Sequence, residues 1–160
     1  MRVEEIMTKD VCFCSPGTNA ASAAEIMWTT NCGSLPVVEE AGLVVGMVTD
    51  RDLFLAVGTA NRLPAELALG EIMSKDLALC NPGDDVRSAM KVMAQRQVRR
   101  LPVVDEARAL KGVLSLSDIA LRTDDDLSED VLSLMRALCD RRNRRKAARR
   151  ESFWSERPAA

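Results

Sequence analysis

Apolar positions along this chain alternate between a strand-like and a helical period, and their order predicts its elements. Val11-Cys12-Phe13-Cys14 is a β-rich run that stops at the turn signal Ser15-Pro16-Gly17. Ala20, Ala23, Ala24 and Met27 then fall at helical spacing, with Thr18 placed as the cap. Leu35-Pro36-Val37-Val38 reads as a strand whose proline sets it at an edge or a strand start. Leu43 to Val48 is apolar almost throughout, as expected of a strand covered on both faces. Asp50 and Arg51 open a short helix that ends near Val57-Gly58. The order is β-α-β-β-α.

The same pattern then returns, 66 residues on and without a gap. Glu5-Ile6-Met7-Thr8-Lys9-Asp10 is answered by Glu71-Ile72-Met73-Ser74-Lys75-Asp76, and Leu35-Pro36-Val37-Val38 by Leu101-Pro102-Val103-Val104. From Glu5 to Leu53 there are 19 identities in 49 aligned positions, far beyond chance. Asp84 takes the capping place in the second copy, with Val86, Ala89, Met90 and Met93 on the helix face. Two copies are too few for a solenoid, which needs about three stacked units. One copy alone is marginal, because small domains bury too little surface. The expected fold class is therefore α/β in the broad sense (α+β): two β-α-β-β-α repeats packed as a pseudo-two-fold pair around one core, followed by a C-terminal basic helix. The first repeat spans 1–58, a linker 59–70 with Pro64 starting a helical turn, and the second repeat 71–123. Residues 124–160 form the basic helix and a flexible tail. Ser128 is placed to cap that helix, with Val131, Leu132, Met135, Leu138 and Cys139 on one side.

Composition narrows the function. The chain has no histidine, which removes the usual general base and the commonest zinc ligand. Its five cysteines include no Cys-x-x-Cys, so they read as reduced thiols of a cytoplasmic protein. Cys12 and Cys14 would face one side of a strand; with no second pair beside them they read as small buried hydrophobes, not metal ligands. No apolar run reaches the roughly 18 residues of a membrane span. Net charge is −2, yet residues 136–160 alone carry nine basic and three acidic side chains.

The strongest candidate chemistry is a strand-end motif, Gly-h-h-Thr/Ser-x-x-Asp with h apolar, at Gly46–Asp52 and again at Gly112–Asp118. A glycine in a buried strand admits a close neighbour. A hydroxyl with a carboxylate three residues beyond it suits the paired hydroxyls of a ribose, and helix N-terminal amides favour phosphate. The same residues can instead simply cap their helices. Recurrence at an identical position favours a ligand site. Arg99-Arg100, directly before Leu101, can grip phosphate through paired bonds or lie solvated on a loop. The matching pair in copy one is the uncharged Gly33-Ser34.

These paired motifs resemble the cystathionine β-synthase (CBS) domain, and the tandem resembles a CBS pair over roughly residues 3–122. The resemblance implies two clefts that take adenosine-containing ligands. In one, Ser115, Ser117 and Asp118 would hold ribose and phosphate with Arg99 and Arg100, and the adenine would rest on Lys9, Asp10 and Val11. In the other, Thr49 and Asp52 would act with the segment Lys75 to Leu77. The uncharged Gly33-Ser34 predicts one occupied cleft per chain. The expected protein is thus a stand-alone regulatory module without catalytic residues, metal or catalytic cofactor. Its ligand would be AMP, ADP or ATP, ahead of S-adenosylmethionine. It would form a homodimer and signal to an unidentified protein partner. The alternative is docking of nucleic acid or protein on the basic stretch 136–150, whose charge would give salt-dependent affinity.

Overall fold

The computed structural model describes residues 1–122 and 127–140. The basic run 141–150 and the acidic Asp124-Asp125-Asp126 lie outside the described residues. In chain order the helices are α1 (Val3–Ile6), α2 (Ala20–Thr29), α3 (Asp50–Thr59), α4 (Leu69–Ile72), α5 (Val86–Arg96), α6 (Leu116–Arg122) and α7 (Ser128–Cys139). The strands are β1 (Ser34–Val38), β2 (Val44–Thr49), β3 (Arg100–Val104) and β4 (Leu110–Ser115). β1 pairs with β2 and β3 with β4, so each repeat builds one two-stranded sheet. The β1–β2 pair is antiparallel, with Leu35 opposite Val48 and a bulge between Val37 and Val38.

The chain divides into two compact units that exchange their leading segments. The second-repeat unit comprises Met1–Lys9, Ala78–Val103 and the chain from Gly112 on; the first-repeat unit comprises Asp10–Leu77 and Val104–Lys111. Each has its own aliphatic core. Val3, Ile6 and Met7 join Val86, Met93, Leu101, Leu114, Ile119, Leu134 and Leu138 in the second-repeat unit. Ala20, Ala23, Met27, Leu35, Val48, Leu53, Leu69 and Ile72 cluster in the first-repeat unit. The single core expected from the sequence is thus two clusters.

Several local expectations are corrected. Val11–Cys14 is not a regular strand: only Cys14 forms a bridge, to Val37. Cys14 donates to Pro36 O (3.0 Å) and accepts from Val38 N (2.7 Å). The preceding rung would need an N–H at Pro36, which proline lacks. Cys12, released from a ladder, is exposed while Cys14 is buried. β2 alternates buried with half-buried residues, so only one face is fully covered. The caps move by one residue. Asn19 accepts from Ser22 N and Asp85 from Arg87 N, while Thr18 and Asp84 close the preceding turns by accepting from Ser15 N and Asn81 N. α1 and α4, which the periodicity did not predict, are single turns. Such short helices depend on tertiary contacts, and α1 buries Val3 and Ile6 while its Val3 N–H reaches Asp84 O. In α7, Ser128 is the first helical residue and makes no cap bond, and Leu134 and Leu138 are the buried pair. Leu132 and Met135, expected on the same side as Leu138, are exposed while Leu138 is buried. Pro64 starts a 3-10 turn (Pro64–Glu66) as predicted. Among the described residues no helix is long and apolar enough to cross a membrane.

Candidate functional site

In the second-repeat unit the strand-end motif closes on itself. Ser115 donates to Asp118 Oδ2 from both its N–H (2.9 Å) and its hydroxyl (2.6 Å), and Asp118 N–H returns a bond to Ser115 Oγ (3.0 Å). β4 ends in this turn and α6 leaves from it. Leu116 N–H donates to Arg99 O (2.9 Å), which fixes the start of β3 beside the turn. Arg99, Arg100, Ser115, Ser117 and Asp118 are thereby gathered at one end of the sheet. Both guanidinium groups are exposed and have no carboxylate partner among the described residues.

The N-terminal segment completes this site. Thr8 and Val113 exchange backbone bonds of 3.0 and 2.9 Å, laying residues 6–9 along β4. A side chain at Gly112 would collide with Thr8 O, so the glycine is there for close approach of a backbone. Thr8 Oγ1 donates to the other carboxylate oxygen, Asp118 Oδ1, at 3.2 Å. Arg122 Nη1 donates to Ile6 O (3.0 Å), pinning the segment from the far end of α6. Lys9, next to Thr8 in the chain, is exposed. Asp10 and Val11, expected to serve the same cleft, belong to the first-repeat unit.

The first-repeat unit repeats the arrangement with fewer charges. Thr49 N–H (2.8 Å) and hydroxyl (2.7 Å) donate to Asp52 Oδ2, and Asp52 N–H donates to Thr49 Oγ1 (3.2 Å). Asp50 N–H meets Gly33 O at 3.2 Å, so Gly33-Ser34 stands where the arginines stand in the other copy. Met47 and Ser74 exchange backbone bonds of 3.1 and 2.9 Å, which places Lys75 and Leu77 just beyond β2's partner segment. Asp52 Oδ1 has no partner among the described residues.

The capping expectation is met in both copies. One carboxylate oxygen of each motif bonds within the capping turn; the other accepts from Thr8 in the second-repeat unit and has no partner among the described residues in the first-repeat unit. Sequence reasoning overlooked Thr8 and Arg122. The signal for Thr8 was present, a hydroxyl at the same place in both copies of Ile-Met-Thr/Ser-Lys-Asp. Among the described residues no group of three or more His, Cys, Asp or Glu could hold a metal ion.

A family model for the CBS domain matches residues 3–59 and again 69–125. The chain is 40% identical over 119 residues to the CBS domain-containing protein YhcV of Bacillus subtilis (strain 168), covering 74% of this chain and 83% of that one. It is 34% identical over 121 residues to protein YlbB of the same organism, covering 75% and 80%. Among solved structures it is similar to the CBS domain pair of protein MJ0100 in complex with 5′-methylthioadenosine and S-adenosyl-L-methionine. That similarity has 25% identity and a TM-score of 0.69, over 76% of this chain and 94% of the other.

Proposed function

This chain belongs to the CBS domain family, and we propose that it is a regulatory module, not an enzyme, that binds an adenine nucleotide and reports it to a partner protein. The observation that carries this reading is the grouping of Asp118, Ser115, Arg99 and Arg100 at one sheet end. A carboxylate oxygen accepts from ribose hydroxyls, and the exposed Ser117 precedes Asp118 in the chain. The paired guanidinium groups bind phosphate with charge-assisted, two-pronged geometry. The MJ0100 pair, with two adenosyl compounds bound, supports the ligand class. AMP, ADP and ATP rank ahead of S-adenosylmethionine, because the arginines favour a phosphate over a sulfonium.

Lys9, next to Thr8 in the chain, would meet the adenine in this cleft, as Lys75 to Leu77 would beside Thr49 and Asp52. The second cleft lacks guanidinium groups and takes a phosphorylated ligand more weakly. Binding at Asp118 touches the carboxylate that holds Thr8, so the N-terminal segment is the element through which occupancy is passed on. We further propose that two copies pair as a homodimer. A thermal-shift panel of AMP, ADP, ATP and S-adenosylmethionine tests the ligand. Stabilisation scales as RT ln(1 + [L]/Kd), so a micromolar ligand raises the transition clearly at millimolar concentration. No shift with any of the four refutes the reading.

A further inference from the structure

Acceptor positions set the two strand-end carboxylates apart. An ionised carboxylate offers about four lone-pair positions and no donor. Asp118 Oδ2 accepts from the Ser115 N–H (2.9 Å) and the Ser115 hydroxyl (2.6 Å), which uses up that oxygen. Oδ1 accepts from the Thr8 hydroxyl at 3.2 Å. About one position is then left on the whole group. Asp52 Oδ2 is filled in the same way by the Thr49 N–H and hydroxyl, but no described residue donates to its Oδ1. The carboxylate in the same unit as Arg99 and Arg100 is therefore the more heavily used of the two.

Thr8 is held beside this carboxylate by its backbone. Its N–H donates to Val113 O (3.0 Å), its carbonyl accepts from Val113 N–H (2.9 Å), and Arg122 Nη1 holds Ile6 O two residues earlier (3.0 Å). A side chain at Gly112 would strike Thr8 O, so the segment lies this close only against a glycine. Thr8 itself is exposed, and its hydroxyl can turn to water when another donor claims Asp118. Rotation about one side-chain bond is enough, and the backbone bonds need not break.

A ribose presents two adjacent hydroxyls, and a carboxylate that receives both needs two open positions. Asp118 has one. We propose that Thr8 is a selectivity-determining residue of this cleft: its hydroxyl occupies the position that the second ribose hydroxyl would take, so the site discriminates only weakly between ribose and 2′-deoxyribose nucleotides. This role presupposes the nucleotide reading above and names the residue that sets selectivity for the sugar. The same bond acts in opposite directions on fold and ligand. It stabilises the free protein, and it withholds one acceptor from the sugar. Thr8→Val keeps the side-chain shape, removes the donor and frees the position.

Calorimetric titration of AMP and 2′-deoxy-AMP into the full parent chain, Thr8→Val and Thr8→Ser tests this. In the parent chain the two ligands should bind within about twofold of each other, a comparison that needs no variant. Thr8→Val should tighten AMP by about two- to tenfold, the equivalent of one net hydrogen bond, and leave 2′-deoxy-AMP unchanged. Thr8→Ser, which keeps the hydroxyl, should match the parent for both ligands. Unchanged or weaker AMP binding to Thr8→Val, equal tightening of both ligands, or a parent chain that already prefers AMP by roughly tenfold or more overturns the role of Thr8 and leaves the nucleotide reading. A parent chain that binds neither ligand overturns both.

Discussion

The hydroxyl of Thr8 donates to Asp118 Oδ1 across 110 residues of sequence, while Ser74, its counterpart in the second copy, makes no bond to Asp52 among the described residues. A hydrogen bond to a charged acceptor contributes more than a neutral one, although exposure weakens it. Thr8→Val should therefore lower stability by about 0.5–1.5 kcal/mol, with Thr8→Ser restoring most of it. Ser74→Ala should be close to neutral. Urea denaturation midpoints measure the contrast, and equal effects of the two changes would contradict it.

The two motif glycines should respond unequally to alanine. At Gly112 the added methyl meets the Thr8 carbonyl, whose oxygen accepts from Val113 N–H while the Thr8 N–H donates to Val113 O. At Gly46 it meets Met73, a flexible side chain. Gly112→Ala should cost about 1–3 kcal/mol, the usual range for overpacking, and Gly46→Ala distinctly less. Thermal unfolding of the two variants reads the difference.

The strand-end hydroxyls should matter for stability in both copies, because each caps its helix. Thr49→Ala and Ser115→Ala should each cost about 1 kcal/mol, as loss of a side-chain cap does. Only the Ser115 change should also weaken nucleotide binding appreciably. Parallel denaturation and calorimetry separate the two consequences.

Thiol reactivity should track burial. Desolvation pushes the Cys80 thiol up to about 12, with the nearby Asp84 charge adding to it, and burial also raises Cys14. Cys12 and Cys139 are exposed. At pH 8 a disulfide reagent should modify Cys12 and Cys139 first and reach Cys80 only on unfolding. A native pKa above the unfolded value means that Cys80 contributes stability below about pH 9, lost as pH rises toward 12. Mass-spectrometric mapping of the modified cysteines tests the order.

Much of this was legible in the sequence because it is local or repeated. The 66-residue offset carries the architecture, and Pro36, Gly46 and the Thr49–Asp52 spacing mark strand, close approach and cap within a few residues. What escaped is set by distant contacts. α1 is one turn long and is stabilised by Asp84 O and by burial of Val3 and Ile6, which no local period encodes. Thr8 meets Asp118 only because residues 6–9 lie along β4. The rotation of α7, which buries Leu134 instead of Leu132, is set by where α5 offers Met90 and Met93. Cys12 was misplaced because Pro36 ends the ladder that would have oriented it.

Calorimetric titration of AMP into the parent chain, Asp118→Ala and Asp52→Ala tests the central claim most directly, with Arg100→Ala and adenosine as a further comparison. Asp118→Ala should weaken AMP by roughly ten- to a hundred-fold, matching about 1.5–3 kcal/mol for bonds to a charged group. Asp52→Ala should change it little, and Arg100→Ala should weaken AMP far more than adenosine. Binding lost in Asp52→Ala but intact in Asp118→Ala would contradict the assignment of the cleft, and no heat from AMP, ATP or S-adenosylmethionine would contradict the nucleotide-binding function itself.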